Sequence, residues 1–335
     1  MKKILIIRFS SIGDIVLTTP VIRAVKQQVP GAEVHFCTKP AFKSFLEPNP
    51  YIDKLHVLSG SLNELVAELK AEKFDFIIDL HNNLRTRIIK ARLGVASRSF
   101  NKLNYEKWLM VNFKLNRLPN VHIVDRYLEA AAPLGVKNDG KGLDYFIPEK
   151  DEVNLQELPE THRNGYVGVV IGAQHFTKRL PLPRLIELCE KINKPIILLG
   201  GPDDTATGEA IFNHFSEIQP KNNQSAINNQ QLPIIYNACG KYNLNQSASL
   251  IKQAEVIFSH DTGLMHIAAA FGKKIYSIWG NTIPEFGMYP YKTDFVKLEV
   301  KELSCRPCSK IGYNKCPKGH FKCMNDLDFS VIQTS

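Results

Sequence analysis

Three polar stretches of this sequence each follow a β-rich run, and each carries groups that can act on a substrate. The first is RFSSIGD, in which Ser10, Ser11 and Gly13 precede Asp14 at the head of an amphipathic run. A carboxylate in this place can take a proton from an attacking hydroxyl group. It can equally be an acid in the first turn of a helix, where it complements the helix dipole. Asp14 is therefore a candidate general base, with the structural role as the alternative.

The second polar stretch covers residues 172–183 and lies between a buried strand and a helix opened by proline. It contains Lys178 and Arg179, two cationic side chains that can hold a phosphate or a diphosphate. A solvated basic loop is the alternative interpretation. If the stretch binds a ligand, we expect that ligand to be an anion.

The third stretch is EVIFSHDTGLMHIAAAFGKK, residues 255–274, and its pattern predicts a strand, a tight turn and a helix. The backbone N–H groups at the start of such a helix point out of the carboxyl end of the strand. Together with the helix dipole they form a corner that attracts anions. The groups in question belong to Gly263, Leu264 and Met265.

Two residues of the third stretch, Asp261 and Thr262, are each suited to cap this helix. A plain cap on a buried helix, with His266 as a satisfied core histidine, is the alternative to an anion site. The stretch by itself leaves both interpretations open.

The rest of the chain alternates strands with helices, a pattern typical of parallel βαβ units. The alternation fades between Gly135 and Gly165 and then starts again. We therefore predict an α/β protein with two doubly wound, Rossmann-like domains. The predicted ranges are 1–150 for the N-terminal domain, 151–164 for a linker, and 165–335 for the C-terminal domain with its cysteine-rich tail. Ligands in such sheets bind outside the carboxyl ends of the strands.

The composition is that of a globular chain with a preference for anionic partners. Its 335 residues are 44% hydrophobic, and the formal net charge is +9, although a solvated basic surface would give the same charge. No apolar run reaches the roughly 18 to 20 residues that a spanning helix needs. Arg8 interrupts the first apolar run and no cleavage site follows, so we predict a first strand rather than a signal peptide, and a cytoplasmic protein.

Four cysteines lie close together near the end of the chain, in the pattern C-x2-C-x7-C-x6-C. Four thiolates at short spacing can bind zinc tetrahedrally. Reduced or reversibly oxidised thiols are the alternative, because the spacings are not those of a typical zinc ribbon. The candidate structural zinc ligands are Cys305, Cys308, Cys316 and Cys323.

Two further basic segments could meet a large acidic partner. Arg85 and Arg87 follow a buried strand, where they could bind phosphates or carboxylates, or could simply form one basic helix face. Trp108 lies between Lys107 and Lys114, a combination that could rest on a membrane surface. We expect instead that this tryptophan is a buried anchor.

An acid in one domain and anion-binding groups in the other are the layout of a two-domain glycosyltransferase of the GT-B type, with a central cleft. The Asp-x-Asp sequence of the chain, Asp326 to Asp328, lies in the tail, so a metal-chelating motif at the donor site is not expected. Lys178 and helix N-termini would then stabilise the leaving diphosphate.

Four segments in the same order resemble glycosyltransferase family 9, the lipopolysaccharide heptosyltransferases, over almost the whole chain. They are RFSSIGDIVLTTPVIRAVK, IGAQHFTKRLPL, LLGGPDD and SHDTGLMHIAAAFGKKIYSIWG. The resemblance implies a GT-B fold, an ADP-activated heptose donor and transfer with inversion onto the inner core of lipopolysaccharide. It also implies that no metal or other cofactor is required.

The resemblance also implies roles for individual residues. Asp14 would be the general base, with Ser10, Ser11 and Gly13 beside the acceptor, and Arg85 and Arg87 would bind the acceptor further out. The donor would contact Lys178, Arg179, Asp261, Thr262, Gly263, Leu264 and His266. A chain with these partners would work in the cytoplasm, in peripheral contact with the inner face of the inner membrane, and would not bind nucleic acid.

Two other functions stay open on the sequence alone. A nucleotide-sugar 2-epimerase shares the two-domain layout but releases a rearranged sugar nucleotide without an acceptor. A nucleic-acid or zinc-dependent interaction protein would use the positive charge and the four cysteines, and would bind oligonucleotides in a salt-dependent way.

Overall fold

A computed structural model describes residues 2–218 and 232–332 of the chain. The Asn/Gln-rich loop of residues 219–231, predicted from the sequence to be mobile, lies outside the described residues.

The described residues form two parallel sheets, one in each half of the chain, as the alternating pattern predicts. The first has five strands in the order β3-β2-β1-β4-β5, and the second has six in the order β11-β10-β9-β6-β7-β8. The strands are β1 (Lys2–Ile7), β2 (Ala32–Thr38), β3 (Lys54–Val57), β4 (Phe76–Asp79), β5 (Ser97–Ser99), β6 (Val167–Val170), β7 (Ile196–Leu199), β8 (Ile235–Asn237), β9 (Val256–His260), β10 (Lys274–Trp279) and β11 (Phe295–Glu299). The short edge strands β5 and β11 were not predicted.

Helices pack around both sheets. They are α1 (Ile12–Val16), α2 (Thr19–Gln28), α3 (Lys43–Leu46), α4 (Leu62–Ala71), α5 (Leu84–Leu93), α6 (Asn104–Phe113), α7 (Ile123–Ala131), α8 (Leu182–Glu190), α9 (Thr205–Ile218), α10 (Leu244–Gln253), α11 (Gly263–Ala270) and α12 (Lys322–Asn325). Short 3-10 turns connect several of them, among them Phe176–Lys178 and Pro202–Asp204.

The first helical run differs from its prediction. The sequence predicts one helix over residues 15–29, but the chain forms α1 and then α2, with Thr18 as the N-cap of α2. Pro20 in the first turn of α2 lacks the N–H group that a continuous helix needs, so the chain is interrupted before it. Asp14 consequently lies in a short separate helix at the end of β1.

Both sheets have the strand order of a Rossmann fold, which reverses direction at one point in each sheet. In the first sheet this switch point lies between β1 and β4, and in the second it lies between β6 and β9. The segments that follow β1, β6 and β9 carry Asp14, Lys178 and Asp261, respectively. These three candidate site residues therefore all follow strands at a switch point.

The two halves share a continuous hydrophobic core that includes Val16 of α1 and Met265 of α11. Their backbones approach closely, because a Cβ on Gly263 would lie 3.2 Å from the backbone nitrogen of Gly13. Side chains at either glycine would separate α1 from α11. The close packing brings the loop after β1 against the loop after β9.

None of the helices within residues 2–218 and 232–332 has the length and apolarity that crossing a membrane requires.

Candidate active site

Asp14 is the third residue of α1 and is held by two neighbours. Its Oδ2 atom accepts hydrogen bonds from the hydroxyl and the backbone N–H of Ser11, at 2.7 and 3.2 Å. Its Oδ1 atom lies 2.6 Å from the guanidinium of Arg8. The carboxylate is therefore fixed in orientation and stays partly accessible from the cleft. Asp14 is thus an acid in the first turn of a helix, and its carboxylate is also accessible to accept a proton.

The environment of Asp14 keeps this carboxyl group ionised. Burial raises its pKa, but the charge of Arg8 and the hydrogen bonds from Ser11 outweigh burial, so the pKa lies below its ordinary value. An ionised carboxylate is the form that can accept a proton from a hydroxyl group.

Lys178 and Asp261 form an ion pair across the switch point of the second sheet. The Nζ atom of Lys178 lies 2.6 Å from Oδ2 of Asp261, and Thr282 donates its hydroxyl to the same oxygen at 3.0 Å. Both charged side chains are largely buried. The pair places one cation and one hydrogen-bonding carboxylate beside the start of α11, which suits a ligand with a phosphate and sugar hydroxyls.

The two candidate caps of α11 are now distinguished. Thr262 is the N-cap and accepts a hydrogen bond from the backbone N–H of Leu264 at 3.2 Å, while Asp261 faces Lys178 instead. Gly263 starts the helix and lies against Ile12 of the first half. Asp261 therefore has its side chain directed to the site rather than to the helix.

His266 of α11 packs against Gly13 of α1. It is buried, and burial is the largest influence that lowers its pKa to about 4; the nearby charges of Asp261 and Asp14 raise this pKa, and that of Lys178 lowers it. The ring is therefore neutral at pH 7. Its Nδ1 atom has no hydrogen-bond partner among the residues that the structure describes. His266 is thus near enough to Asp14 and to the Lys178–Asp261 pair for all three charges to act on its ring.

Arg179 is directed away from this pair. Its Nε atom donates to the carbonyl oxygen of Ala173, and its NH1 atom lies 3.7 Å from Asp204 of the GGPDD turn. Arg179 thus connects two loops at the carboxyl edge of the second sheet. Its predicted contact with the donor stays a prediction.

The residues predicted beside the acceptor occupy different environments. Ser11 is exposed, Ser10 is half-buried and Gly13 is buried against His266. Arg87 is exposed on α5. The exposed Arg85 lines a cleft of about 350 Å³ together with Lys39 and Leu58, outside the carboxyl ends of β2 and β3.

Sequence reasoning missed a group of basic side chains near Asp14. The charge of Asp14 acts on Lys102 and Lys107, and the charge of Lys310, from the cysteine-rich tail, acts on the same two lysines. Burial, followed by the charge of Arg126, lowers the pKa of Lys107 to about 8, although Asp14 raises it. No local pattern marks these lysines, because they come from segments that are distant along the chain from Asp14.

Asn281 is a second residue that the sequence did not single out. It follows β10, is buried, and neither its amide oxygen nor its amide nitrogen has a partner among the described residues. Its backbone N–H lies 3.4 Å from the carbonyl oxygen of Thr177, next to Lys178. A buried unpaired amide is costly, and a bound ligand can remove that cost.

The prediction that Trp108 is a buried anchor is wrong. Its side chain is 51% exposed, and it lies against Tyr105 and Phe113, whose exposed fractions are 63% and 64%. In α6, Leu109 is the residue that packs inward. Trp108 belongs to an exposed aromatic group with Tyr105 and Phe113.

The four cysteines of the tail surround one region without forming a closed metal site. Burial and the three neighbouring thiols raise the pKa of Cys323 to about 12. Within the described residues, the group of three or more potential ligands with all atoms within 4.8 Å is elsewhere, at His35, His56 and Glu72. Sulfurs around tetrahedral zinc lie about 3.8 Å apart, so the thiols must draw together to bind it.

Two Rossmann-like sheets with their switch points facing each other, a fixed carboxylate in one half and a lysine–aspartate pair in the other define a glycosyltransferase of the GT-B type. The sequence matches glycosyltransferase family 9 (heptosyltransferase) over residues 62–317. Because this match covers most of the chain, the protein belongs to that family, and it is a glycosyltransferase. The expected family and fold are thereby confirmed.

Individual relatives agree with this assignment. The chain is 25% identical over 300 residues to lipopolysaccharide heptosyltransferase 1 of Campylobacter coli, covering 84% of each chain. A solved family 9 glycosyltransferase from Veillonella parvula is 25% identical, with a TM-score of 0.69 over 89% of this chain and 86% of that one. The ADP-heptose lipopolysaccharide heptosyltransferase II of Escherichia coli is 19% identical and has the same fold, with a TM-score of 0.67 over 97% and 98% of the two chains.

Proposed function

We propose that this glycosyltransferase moves a heptose, or a related sugar, from an ADP-activated donor to a hydroxyl group on the inner core of lipopolysaccharide, with inversion at the anomeric carbon. The observation that carries the proposal is the packing of α1 against α11, where a Cβ on Gly13 would lie 2.7 Å from His266. This contact brings Asp14 into the same site as the Lys178–Asp261 pair. A single displacement requires a base and a diphosphate site around one reacting carbon.

The base side of the reaction rests on Asp14. Arg8 and Ser11 hold its two carboxylate oxygens, so the group is ionised and oriented before the acceptor arrives. As the acceptor oxygen bonds to the anomeric carbon, its proton becomes acidic and passes to Asp14. The displacement then inverts the configuration at that carbon.

The donor side rests on the second half of the chain. Lys178 and the N-terminus of α11 would stabilise the negative charge that develops on the leaving diphosphate. Asp261, beside Lys178, can accept hydrogen bonds from sugar hydroxyls. The ADP-heptose part of the proposal is supported by the relatives, whose descriptions name heptose and ADP-heptose.

The acceptor side rests on basic residues of the first half and the tail. Lys102 and Lys107 are near enough to Asp14 for their charges to interact, and Lys310 is near both lysines. Arg85 lines the cleft outside the carboxyl ends of β2 and β3. The inner core of lipopolysaccharide carries phosphates and carboxylates, which such cations bind. No cofactor takes part in the proposed reaction.

The exposed aromatic group on α6 supports a peripheral membrane contact. Tyr105, Trp108 and Phe113 project from the helix that also carries Lys107, with Lys114 at its end. Amphipathic aromatic rings beside lysines favour the interface of an anionic membrane. We propose that this face meets the inner face of the inner membrane, where a lipid-linked acceptor would be presented to a cytoplasmic enzyme.

We keep a structural zinc ion at the four tail cysteines as a separate proposal. The backbone of Thr177, next to Lys178, donates to the carbonyl oxygen of Tyr313 at 3.1 Å, so the cysteine-rich segment supports the donor loop. Zinc analysis of the purified chain with and without Cys305→Ser and Cys308→Ser tests it; equal zinc content in both proteins contradicts it.

A thermal-shift panel tests the donor assignment. ADP-sugars should raise the Tm of the protein, whereas GDP- and UDP-sugars at the same concentration should not. Product analysis then separates transfer from epimerisation, because an epimerase converts the sugar nucleotide without acceptor. Release of a rearranged sugar nucleotide in the absence of acceptor would contradict the transferase mechanism.

A further inference from the structure

A pair of buried histidines lies outside the candidate active site, on the face of the first sheet that α4 covers. His35 of β2 and His56 of β3 are both fully buried. Phe74 closes the space beside them, with its ring edge-on to both at centroid distances of 5.1 and 6.0 Å. No step of the proposed sugar transfer uses these histidines, so their arrangement needs an explanation of its own.

Each imidazole ring uses its two nitrogens differently. The outer nitrogens face carboxylates: Nε2 of His35 lies 2.8 Å from Glu33, and Nδ1 of His56 is in short contact with Glu68. The inner nitrogens face each other, with Nδ1 of His35 and Nε2 of His56 only 2.9 Å apart. When both outer nitrogens donate their protons to the carboxylates, two lone pairs meet in the inner gap.

A cation in the inner gap removes this repulsion. A histidine that binds a metal through one nitrogen almost always donates its other N–H to a carboxylate or carbonyl group, which fixes the tautomer of the ring. Glu33 and Glu68 provide such acceptors for both rings. Glu72 adds a carboxylate oxygen, which lies within 4.8 Å of a ring nitrogen of each histidine.

We propose that His35, His56 and Glu72 bind a divalent transition-metal ion of the zinc class, which ties β2 and β3 to the end of α4. Two nitrogens on tetrahedral zinc lie about 3.3 Å apart, so the rings need to separate by only a few tenths of an ångström. A water molecule would complete the four ligands. This ion is structural and is separate from the four cysteines of the tail.

The charges around the pair favour a cation. Glu33 and Glu72 pair with the ammonium groups of Lys3 and Lys54. Glu68, which contacts His56, has no such lysine partner among the residues that the structure describes and leaves one negative charge in excess. A shared proton is the rival occupant of the gap.

The test uses the full chain with Cys305→Ser and Cys308→Ser, so that the tail thiols do not compete for metal. After removal of metal with a chelator, the protein is titrated with Co²⁺ alone. The expected result is one bound equivalent with the visible absorption of a tetrahedral site and without thiolate charge-transfer bands. Zn²⁺ should displace the Co²⁺ and raise the Tm.

Matched variants assign the site. His35→Gln and His56→Gln should abolish both the absorption and the Zn²⁺-dependent rise in Tm, whereas His214→Gln on α9 should keep both. If the buried variants fail to fold, Glu68→Gln, at a half-exposed side chain, should fold and weaken Co²⁺ binding about 10- to 100-fold. A folded parent protein that binds no stoichiometric Co²⁺, or Co²⁺ binding that Glu68→Gln leaves unchanged, would overturn the proposal in favour of a shared proton.

Discussion

The ammonium group of Lys178 lies 2.6 Å from the carboxylate of Asp261, in an ion pair that joins the loops after β6 and β9. The carboxylate is fixed in turn by the hydroxyl of Thr282 at 3.0 Å. The lysine is therefore held at the switch point of the second sheet before any donor binds. A leaving diphosphate would meet a cation that needs little reorganisation.

Replacing Lys178 by Met should lower kcat/KM for sugar transfer about 10²- to 10³-fold, because one preorganised cation at the leaving group is lost. The measurement is steady-state transfer from ADP-heptose, together with ADP affinity by calorimetry. Lys191→Met, at an exposed lysine after α8, is the control and should behave as wild type. Equal activity of both variants would rule out a role for Lys178 on the diphosphate.

Gly13→Ala should reduce activity by disturbing the contact between the two halves. An added Cβ would lie 2.7 Å from Cδ2 of His266 and 3.2 Å from Cα of Gly263, so α1 and α11 must separate and Asp14 must move. Small displacements of catalytic groups cost about 10²-fold in rate. Gly201→Ala, where the new Cβ approaches only Asp204 at 3.9 Å, is the control. The account of this interface fails if both alanine variants keep the wild-type kcat.

Arg8→Gln should shift the acid limb of the pH–rate profile to higher pH. Burial raises the pKa of Asp14, and the charge of Arg8 is the largest influence that lowers it below its ordinary value. A carboxylate with a lowered pKa stays ionised as the pH falls, so the wild-type enzyme keeps its base in acidic solution. Removing the cation raises that pKa by about one to three units, and activity is then lost at a higher pH. Arg8→Lys should retain most of the wild-type pH–rate profile. An unchanged acid limb in Arg8→Gln would show that Arg8 does not set the pKa of the base.

The exposed aromatic group should determine binding to membranes. Trp108→Ser with Phe113→Ser is expected to lower the fraction of protein that cosediments with anionic phospholipid vesicles, because both rings leave water at the interface. Transfer to a water-soluble acceptor should not change. Phe212→Ser removes an aromatic ring on α9 that is 39% exposed and serves as the control. Vesicle binding equal to wild type in the double variant would refute the membrane contact.

The sequence predicts the alternating elements and three key residues because their signals are local. Asp14, Lys178 and Asp261 each follow a buried aliphatic strand, and in a parallel sheet such positions meet at one edge. The cap of α11 could not be assigned, because Asp261 and Thr262 are both good capping residues. Only the contact with Lys178 distinguishes them.

Other features depend on contacts between distant segments. Lys107 of α6 comes near Asp14 and Lys310 only through the fold, and Asn281 becomes notable only because its buried amide is unpaired among the described residues. Trp108 was misassigned because α6 carries apolar residues on all sides, and the sequence does not tell which of them face the core. The close approach of Gly13 to His266 likewise arises from packing between the two halves.

The central claim, that Asp14 is the general base, is tested most directly by the Asp14→Asn variant. Transfer of sugar from ADP-heptose to a lipopolysaccharide acceptor is followed together with the affinity for ADP-heptose by calorimetry. The account predicts a loss of about 10²- to 10⁴-fold in kcat with unchanged donor affinity, because the amide keeps the shape of the side chain but cannot accept the proton. Near-normal turnover by this variant would contradict it.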